Sequence, residues 1–541
     1  MSTEHYSDVT ILGGGLAGLT LSLQLKQRMP ELDITVIERR KHPVPHAAHK
    51  VGESSVEIGA HYFEKILGLK KHLETAQLKK FGFRFFFSDK RSDIDNVTEL
   101  GASKVLSTPS YQLDRGIFEN TLAELAAEKG IKFFDGSMIR ALNLSAAHST
   151  HTVSFDTDGD KRTVKSKWLI DASGRAGLVK RKLGLAELND HDANAVWFRV
   201  SEKIDVNNWS SDEKWLDRCN PRNRWLSTNH LVGEGYWVWL IPLASGSHSI
   251  GIVADSKLHP IDTLNTFEKS MEWLSIHQPR LFEEINTKRN SLQDFAFFKR
   301  FSYGCKQVFS GANRWALTGE AGLFLDPFYS PGSDFIAISN TFITKLVELD
   351  LADGPVSMTA DIYQQVYFSL YKNMLTLYTD QYKIFGDPEV LPIKVLWDYT
   401  YYWGVMCQLF FQDKLTDVLC MARMKKKLDT IQQINGEMQL FLRRWNAVSA
   451  KRNLPKMLDQ ASLPWFSKLN SELRDDLNDA EFFVRLDKYL YQLNELAAEI
   501  VVTATKDYPE LDSTSVCSLL PSQFLSKARN REVQYLFGSA A

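Results

Sequence analysis

Short apolar runs closed by small or acidic residues punctuate the first third of the chain. Asp8-Val9-Thr10-Ile11-Leu12 predicts a buried strand that runs straight into Gly13-Gly14-Gly15. From Leu16 to Arg28 apolar residues recur at helical spacing, and Ile34 to Glu38 predicts a second buried strand. A strand, a glycine turn, a helix and a strand make a βαβ unit that opens a doubly wound sheet. A helix is then expected over Arg115 to Lys129, with strands near Lys132 to Phe134, Thr152 to Phe155 and Trp168 to Ile170. Between Val196 and Arg300, aromatic and β-branched residues alternate with polar ones, as in Val196 to Val200 and Tyr236 to Ile241, which is the pattern of an antiparallel sheet. A Gly/Pro-rich loop occupies 324–334, and beyond Phe335 the pattern is mostly helical. The expected fold is α/β: a doubly wound Rossmann-type sheet over 1–195 to which 301–340 returns, an antiparallel-sheet part over 196–300, and a helical C-terminal region over 341–541.

Gly13, Gly15 and Gly18 satisfy G-x-G-x-x-G between strand and helix, and Glu38 lies 20 residues beyond Gly18, where an acid meets ribose hydroxyls. This unit alone reads as dinucleotide binding and leaves NAD and FAD open. At 541 residues the chain is long enough for two or three domains, and a net charge of -2 gives no electrostatic footprint for nucleic acid. The five cysteines are scattered, odd in number and without a C-x-x-C pair, so they read as reduced core thiols. No apolar run reaches the ~18 to 20 residues of a membrane helix, and the polar start is unlike a signal peptide. A cytoplasmic protein is expected, with no integral membrane segment. His46 and His49 lack companions at metal-ligand spacing, so no metal is expected.

Two later strands narrow the cofactor. Trp168 to Arg175 delivers Asp171 into a small-residue turn, and Trp315 to Ala321 ends in Gly319-Glu320. Both resemble the repeated signatures of the FAD-dependent aromatic hydroxylase and halogenase superfamily. Trp237-Val238-Trp239-Leu240-Ile241-Pro242 resembles the W-x-W-x-I-P signature of flavin-dependent halogenases, of the tryptophan halogenase-like kind. Phe324 to Gly332 is similar to that family's F-x-x-P-x-x-S-x-G loop, and Val51-Gly52-Glu53-Ser54 to its V-G-E-S turn. The matches run in consistent order over roughly residues 8 to 335.

The resemblance implies that FAD, working as FADH2, is held by Gly13, Gly15, Gly18, Glu38, Arg115, Asp171, Gly319, Glu320, Pro327 and Gly332. It implies chloride or bromide at Ser330, Gly332 and Ser333, and an active-site wall that includes Trp237, Trp239 and Tyr329. An oxidised halogen would reach an electron-rich phenolic, pyrrolic or indolic ring, free or carrier-tethered, through a lysine; Lys80 matches the family position and Lys79 is the fallback. No second dinucleotide fingerprint is visible, so a separate flavin reductase is expected to supply FADH2.

Three departures stand beside the matches. Glu320 replaces the family's usual Asp, Tyr329 stands where tryptophan-acting members carry Glu, and Pro331 has no N–H to offer a halide. An FAD-dependent aromatic monooxygenase therefore remains open. So does a catalytically silent flavoprotein that binds a partner through its basic, aromatic C-terminal helices around Arg423 to Lys427. The aromatics from Tyr399 to Trp403 fit either a substrate cavity or plain core packing.

Overall fold

The apolar run at Val9 does form a buried strand, but the strand begins earlier, at Thr3, and ends at Leu12. Thr3 to Ser7 pair in parallel register with Arg162 to Ser166 of the long strand Asp160–Asp171, a distant partner that local hydropathy does not reveal. The computed structural model describes residues 3–47, 52–146 and 149–537, so Val51 and His49 lie outside the described residues. Two compact units emerge: Met1–Gln77 with Leu113–Asp190 and Ser302–Lys372, and Leu78–Gln112 with His191–Phe301 and Asn373–Ala541.

In the first unit the sheet order is Phe309–Ser310, Trp315–Leu317, Asp160–Asp171, Thr3–Leu12, Ile34–Ile37, Lys132–Phe134. Along this path every pair is parallel except the edge pair at Phe309, which is the doubly wound arrangement, and off it the antiparallel hairpin Met138–Asn143 and His151–Thr157 pairs with the first half of Asp160–Asp171. The strands end level with one another. Gly13 N–H donates to the Ile37 carbonyl, Ala172 N–H to that of Leu12, and Thr318 N–H to that of Asp171, at 2.8, 2.8 and 3.0 Å. The turns after Leu12, Asp171 and Leu317 are therefore gathered at the carboxyl edge of the sheet, where open α/β folds bind ligands.

The second unit is built on an eight-stranded sheet with the order Leu292–Phe298, Ala193–Val200, His248–Asp255, Tyr236–Pro242, Thr228–Gly233, Phe83–Phe86, Glu99–Gly101, Met457–Asp459. The expected antiparallel pattern holds for its first five strands, and two parallel joins, at Phe83–Phe86 and Met457–Asp459, extend it. Alternation sorts the side chains. Tyr236, Val238 and Leu240 enter a core with Phe198, Ile250 and Trp215, while Trp237 and Trp239 point to the other face. Gly251 is needed opposite Trp239, because a Cβ there would come within 2.1 Å of the indole.

The C-terminal part is helical as expected. Val390–Tyr401 continues through a π-helical turn, Tyr402–Cys407, into Gln408–Phe411, and two long helices, Val418–Val448 and Asp479–Asp507, follow. Among the described residues no helix is long and apolar enough to cross a membrane, and no disulfide forms.

One ionic cluster holds the second unit's sheet to its loops. Glu99 is fully buried between Arg84 and Arg224; Arg224 Nε donates to its carboxylate at 2.8 Å, and Arg84 Nη1 makes a very short contact. Arg84 also donates to the Ala102 carbonyl and Arg224 to that of Trp215. Burial would raise the pKa of Glu99, but the two guanidinium groups outweigh it and hold the carboxyl below its ordinary value. A lowered folded-state pKa stabilises the fold above the ordinary glutamate range, and that stabilisation is lost as pH falls through the folded value. Glu99→Gln leaves two buried cations without a counter-charge and should cost about 3 to 5 kcal/mol of unfolding free energy. Urea titration at neutral pH measures the loss, and an unchanged midpoint would contradict this account of the cluster.

Candidate active site

The glycine turn of the first unit is dictated by close approach. Gly13 has φ +108°, and a Cβ there would lie 2.4 Å from the Ala172 carbonyl oxygen. At Gly18 a Cβ would lie 1.9 Å from the Gly13 oxygen, so any larger residue would push the helix Leu16–Arg28 off the turn. Gly15 differs: it caps that helix, and a Cβ added to it meets nothing within 4 Å. The helix has no acidic residue in its first turn, so its free N–H groups and positive dipole end face an open approach. This is where a dinucleotide pyrophosphate fits. Glu38 accepts from the Gly14 N–H at 2.6 Å and the Arg40 N–H at 2.7 Å, which fixes its carboxylate beside the turn.

Asp171 is used structurally. Its carboxylate accepts from Ser173 N–H and Oγ and from Val179 N–H at 2.6 to 3.0 Å, and burial raises its pKa against those hydrogen bonds. The third motif folds back onto the first: Gly319 has φ +59°, and a Cβ there would lie 3.0 Å from that of Ala17. Glu320 next to it is 3.7 Å from the Arg175 guanidinium. Burial pushes the pKa of Glu320 up, and the charges of Arg175, Arg115 and Lys180 oppose the rise. Arg115 opens the helix Arg115–Glu128, donates to Glu119 at 2.5 and 3.1 Å, and reaches the Gly52 carbonyl at 3.4 Å. Burial lowers its pKa to about 10, against the charges of Glu320 and Glu53, so it remains cationic at neutral pH.

The loop after Phe324 is tightly wound. Asp326 accepts from Phe328 N–H at 2.8 Å, and the Pro327 carbonyl accepts from Ser330 N–H at 2.9 Å. Tyr329 and Ser330 then sit in succession at φ +65° and +54°, a left-handed conformation that costs roughly 1 to 3 kcal/mol per non-glycine residue. Pro331 caps the helix Gly332–Leu351. Unlike the helix behind Gly15, this one carries an acid in its first turn: Asp334 is buried, and its Oδ1 accepts from the Gly59 N–H at 2.8 Å. Ser333 Oγ is buried and, among the described residues, has no hydrogen-bond partner. An anion at this helix start would find the N–H groups of Gly332 and Ser333, an unused hydroxyl, and a neighbouring carboxylate.

The second unit holds the remaining candidates. Lys80 lies between the strands Leu78–Lys79 and Phe83–Phe86, is buried, and places its Nζ 3.4 Å from the centre of the Phe83 ring. Lys79 is exposed. Trp237 and Trp239 share one face with ring centres 5.7 Å apart; Trp237 Nε1 donates to Tyr382 Oη and Trp239 Nε1 to Ser249 Oγ, both at 3.2 Å. His230 joins them: it pairs across the sheet with both Phe85 and Trp239, stacks on Phe85 at 4.6 Å and lies 5.5 Å from Trp237. Burial, followed by the Lys80 charge, pulls its pKa down to about 3, so the imidazole is neutral. Tyr399 meets Phe83 at 6.1 Å. The outcome is a buried amine against aromatic rings and a neutral histidine. His230 was not singled out from the sequence; its place in the alternation opposite Trp239 is the signal that could have found it.

Two groups of candidates result, one within each unit. Gly13, Gly15, Gly18, Glu38, Arg115, Asp171, Gly319, Glu320, Pro327, Tyr329, Ser330, Gly332 and Ser333 belong to the first, and Lys80, Trp237 and Trp239 to the second. Among the described residues, no group of three metal-ligating side chains forms.

Residues 6–249 match the family model described as FAD binding domain. The chain is 29% identical over 383 residues to the flavin-dependent halogenase chlA of Dictyostelium discoideum, covering 65% of this chain and 61% of that protein. The chain thus spans about three fifths of that relative's length. It is 27% identical over 349 residues to the 1H-pyrrole-2-carbonyl-[peptidyl-carrier protein] chlorinase of Pseudomonas fluorescens, covering 61% of this chain and 73% of that enzyme. In fold it is similar to the crystal structure of halogenase PltM, with a TM-score of 0.65 at 17% identity over 91% of this chain and 96% of that one.

Gly15→Val tests the cofactor geometry. The open space at Gly15 predicts an unchanged Tm for the protein without cofactor and FAD affinity weakened by about tenfold or more, because the new side chain stands where the pyrophosphate approaches. Flavin fluorescence titration and a thermal melt read the two quantities; unchanged FAD affinity would place the pyrophosphate elsewhere.

Proposed function

We propose that this chain, a relative of the flavin-dependent halogenases with an FAD-binding domain, uses FADH2, oxygen and halide to halogenate an electron-rich aromatic ring presented to Lys80. The observation that carries the reading is the buried Lys80 amine over the Phe83 ring, in a unit whose neighbouring sheet face carries Trp237 and Trp239. Bound FADH2 supplies the two electrons that reduce oxygen and so allow halide to be oxidised. The Gly13 to Gly18 turn and the helix behind it bind the pyrophosphate, Glu38 orients the ribose, and Arg115 and Glu320, with Gly319 and Pro327, set the flavin end.

Ser330, Gly332 and Ser333 receive the halide. Lys80, desolvated and held against an aromatic face, takes the oxidised halogen and directs it to the substrate. Trp237 and Trp239 keep water away from the Lys80 amine within their unit, and Tyr329 borders Ser330 in the halide loop of the other. A separate flavin reductase supplies FADH2 in the cytoplasm. The substrate is phenolic, pyrrolic or indolic, and the carrier-bound substrates named for the pyrrole-acting relatives extend the possibilities to a tethered ring.

Supplied with FAD, a reductase, bromide and a panel of phenols, pyrroles and indoles, the protein should yield brominated product by mass spectrometry. Lys80→Met should abolish that product while oxygen consumption continues. No brominated product across the panel, with flavin bound and oxygen consumed, would count decisively against halogenation.

A second reading, ring hydroxylation, is favoured by one specific place. Pro331 lacks an N–H and Asp334 puts a carboxylate into the same helix turn, so a halide there meets fewer donors and a like charge. A missing donor to an anion costs roughly 1 to 3 kcal/mol. Pro331→Thr restores the donor and should lower the bromide concentration needed for half-maximal rate by about tenfold. If the rate is instead indifferent to bromide and labelled oxygen from O2 enters the product, hydroxylation is the activity.

A further inference from the structure

In the second unit two buried polar side chains, five residues apart in sequence, make no hydrogen bond among the described residues. Trp403 is fully buried in the π-helical turn Tyr402–Cys407, and Gln408 follows that turn, also buried. Among the described residues, the Trp403 indole N–H and both the oxygen and the nitrogen of the Gln408 amide have no hydrogen-bond partner. Buried polar groups are nearly always satisfied, and an orphan costs the fold its full desolvation penalty. Nearby residues show the usual case. Trp397 in the preceding helix donates to Asn435 at 2.8 Å, and Lys394 is paired with Asp398 and Gln439 at 2.8 and 2.6 Å.

The backbone irregularity falls at the same place. In an α-helix, residues five apart lie on different faces, whereas an i→i+5 turn rotates Gln408 back toward the face of Trp403. Gly404 accommodates the turn, since a Cβ there would already lie 3.3 Å from that of Tyr489. A chain of rings connects the turn to the lysine: Trp403 meets Tyr399 at 4.6 Å, Tyr399 meets Phe83 at 6.1 Å, and Lys80 Nζ stands 3.4 Å over Phe83.

We infer that Trp403 and Gln408, brought together by the π-turn, form a polar subsite that binds an oxygen substituent of the aromatic substrate, a ring hydroxyl or aryl carbonyl, and so orients the ring relative to Lys80. An indole N–H offers one donor, and the amide offers donors and an acceptor, which matches a carbonyl beside a hydroxyl. A purely hydrocarbon ring leaves all of them unpaired. The inference rests on the reading of the Lys80 surroundings as the substrate's seat, but its test is a binding measurement and needs no turnover.

The probe is 2,4-dihydroxyacetophenone, titrated calorimetrically into the full chain with FAD in excess, with ethylbenzene as the comparator that lacks oxygen. Gln408→Met removes the amide at nearly constant length and volume, and Trp403→Phe removes the indole N–H together with part of the ring, which leaves a cavity. Each should weaken the probe by about tenfold or more, and Gln408→Met should leave ethylbenzene unaffected and keep Tm equal or higher, because an orphaned polar group is replaced by an apolar one of similar size. Unchanged probe affinity in both variants, a Tm that drops in Gln408→Met, or no probe binding by the wild-type protein would each overturn the inference. The first two results would assign the groups to a trapped water or to packing. Probe binding with the expected losses, in a protein that forms no halogenated product, would sink the halogenase reading and leave the subsite standing.

Discussion

The absence of a side chain at Gly18 is the constraint from which the first unit follows. With the Cβ position only 1.9 Å from the Gly13 oxygen, the helix Leu16–Arg28 can sit against the turn only as it does. That contact sets the helix N-terminus at the carboxyl edge of the parallel sheet, level with the turns after Asp171 and Leu317. Gly319 closes against Ala17 on the same principle, which brings Glu320 into the electrostatic reach of Arg115 and Arg175. Three stretches far apart in sequence thus meet at one edge of the sheet, because Gly13 and Gly18 leave no room for a side chain and Gly319 leaves little.

The two long helices that begin at glycine turns of this unit make opposite electrostatic choices. The helix behind Gly15 has no acid in its first turn and leaves its positive end to an incoming anion. The helix behind Pro331 carries Asp334 there, buried and hydrogen-bonded to Gly59, so part of its dipole is already answered from within the chain. An anion would accordingly meet very different receptions at the two helix starts of one unit. In the second unit the same logic of buried charge appears twice: Glu99 is compensated by two guanidinium groups, while Lys80 is held against a ring face near a histidine that burial keeps neutral.

Much of this was legible in the residues. The glycine spacing announced the first turn, and the phase of Trp237 and Trp239 announced that both indoles share a face. Local pattern was blind where distant partners decide. Thr3 to Ser7 are too polar to look like a strand and become one by pairing with Arg162 to Ser166. Residues 78–112 join the second unit without any change in composition to mark the crossing. His230 matters by its register against Trp239, and Asp334 by its bond to Gly59, contacts that no spacing rule contains. The π-turn at Tyr402 has no sequence signature either, since one extra residue per turn is a matter of packing.

In the proposed reaction the Lys80 amine carries the oxidised halogen. The most direct measurement is peptide mass spectrometry of the protein after reaction with FADH2, oxygen and bromide in the absence of any aromatic substrate. The account predicts one bromine in place of one hydrogen on the peptide containing Lys80, recognisable by its isotope doublet, discharged when a phenol is added and absent from Lys80→Met. A peptide that stays free of bromine while the protein binds flavin and consumes oxygen would contradict it.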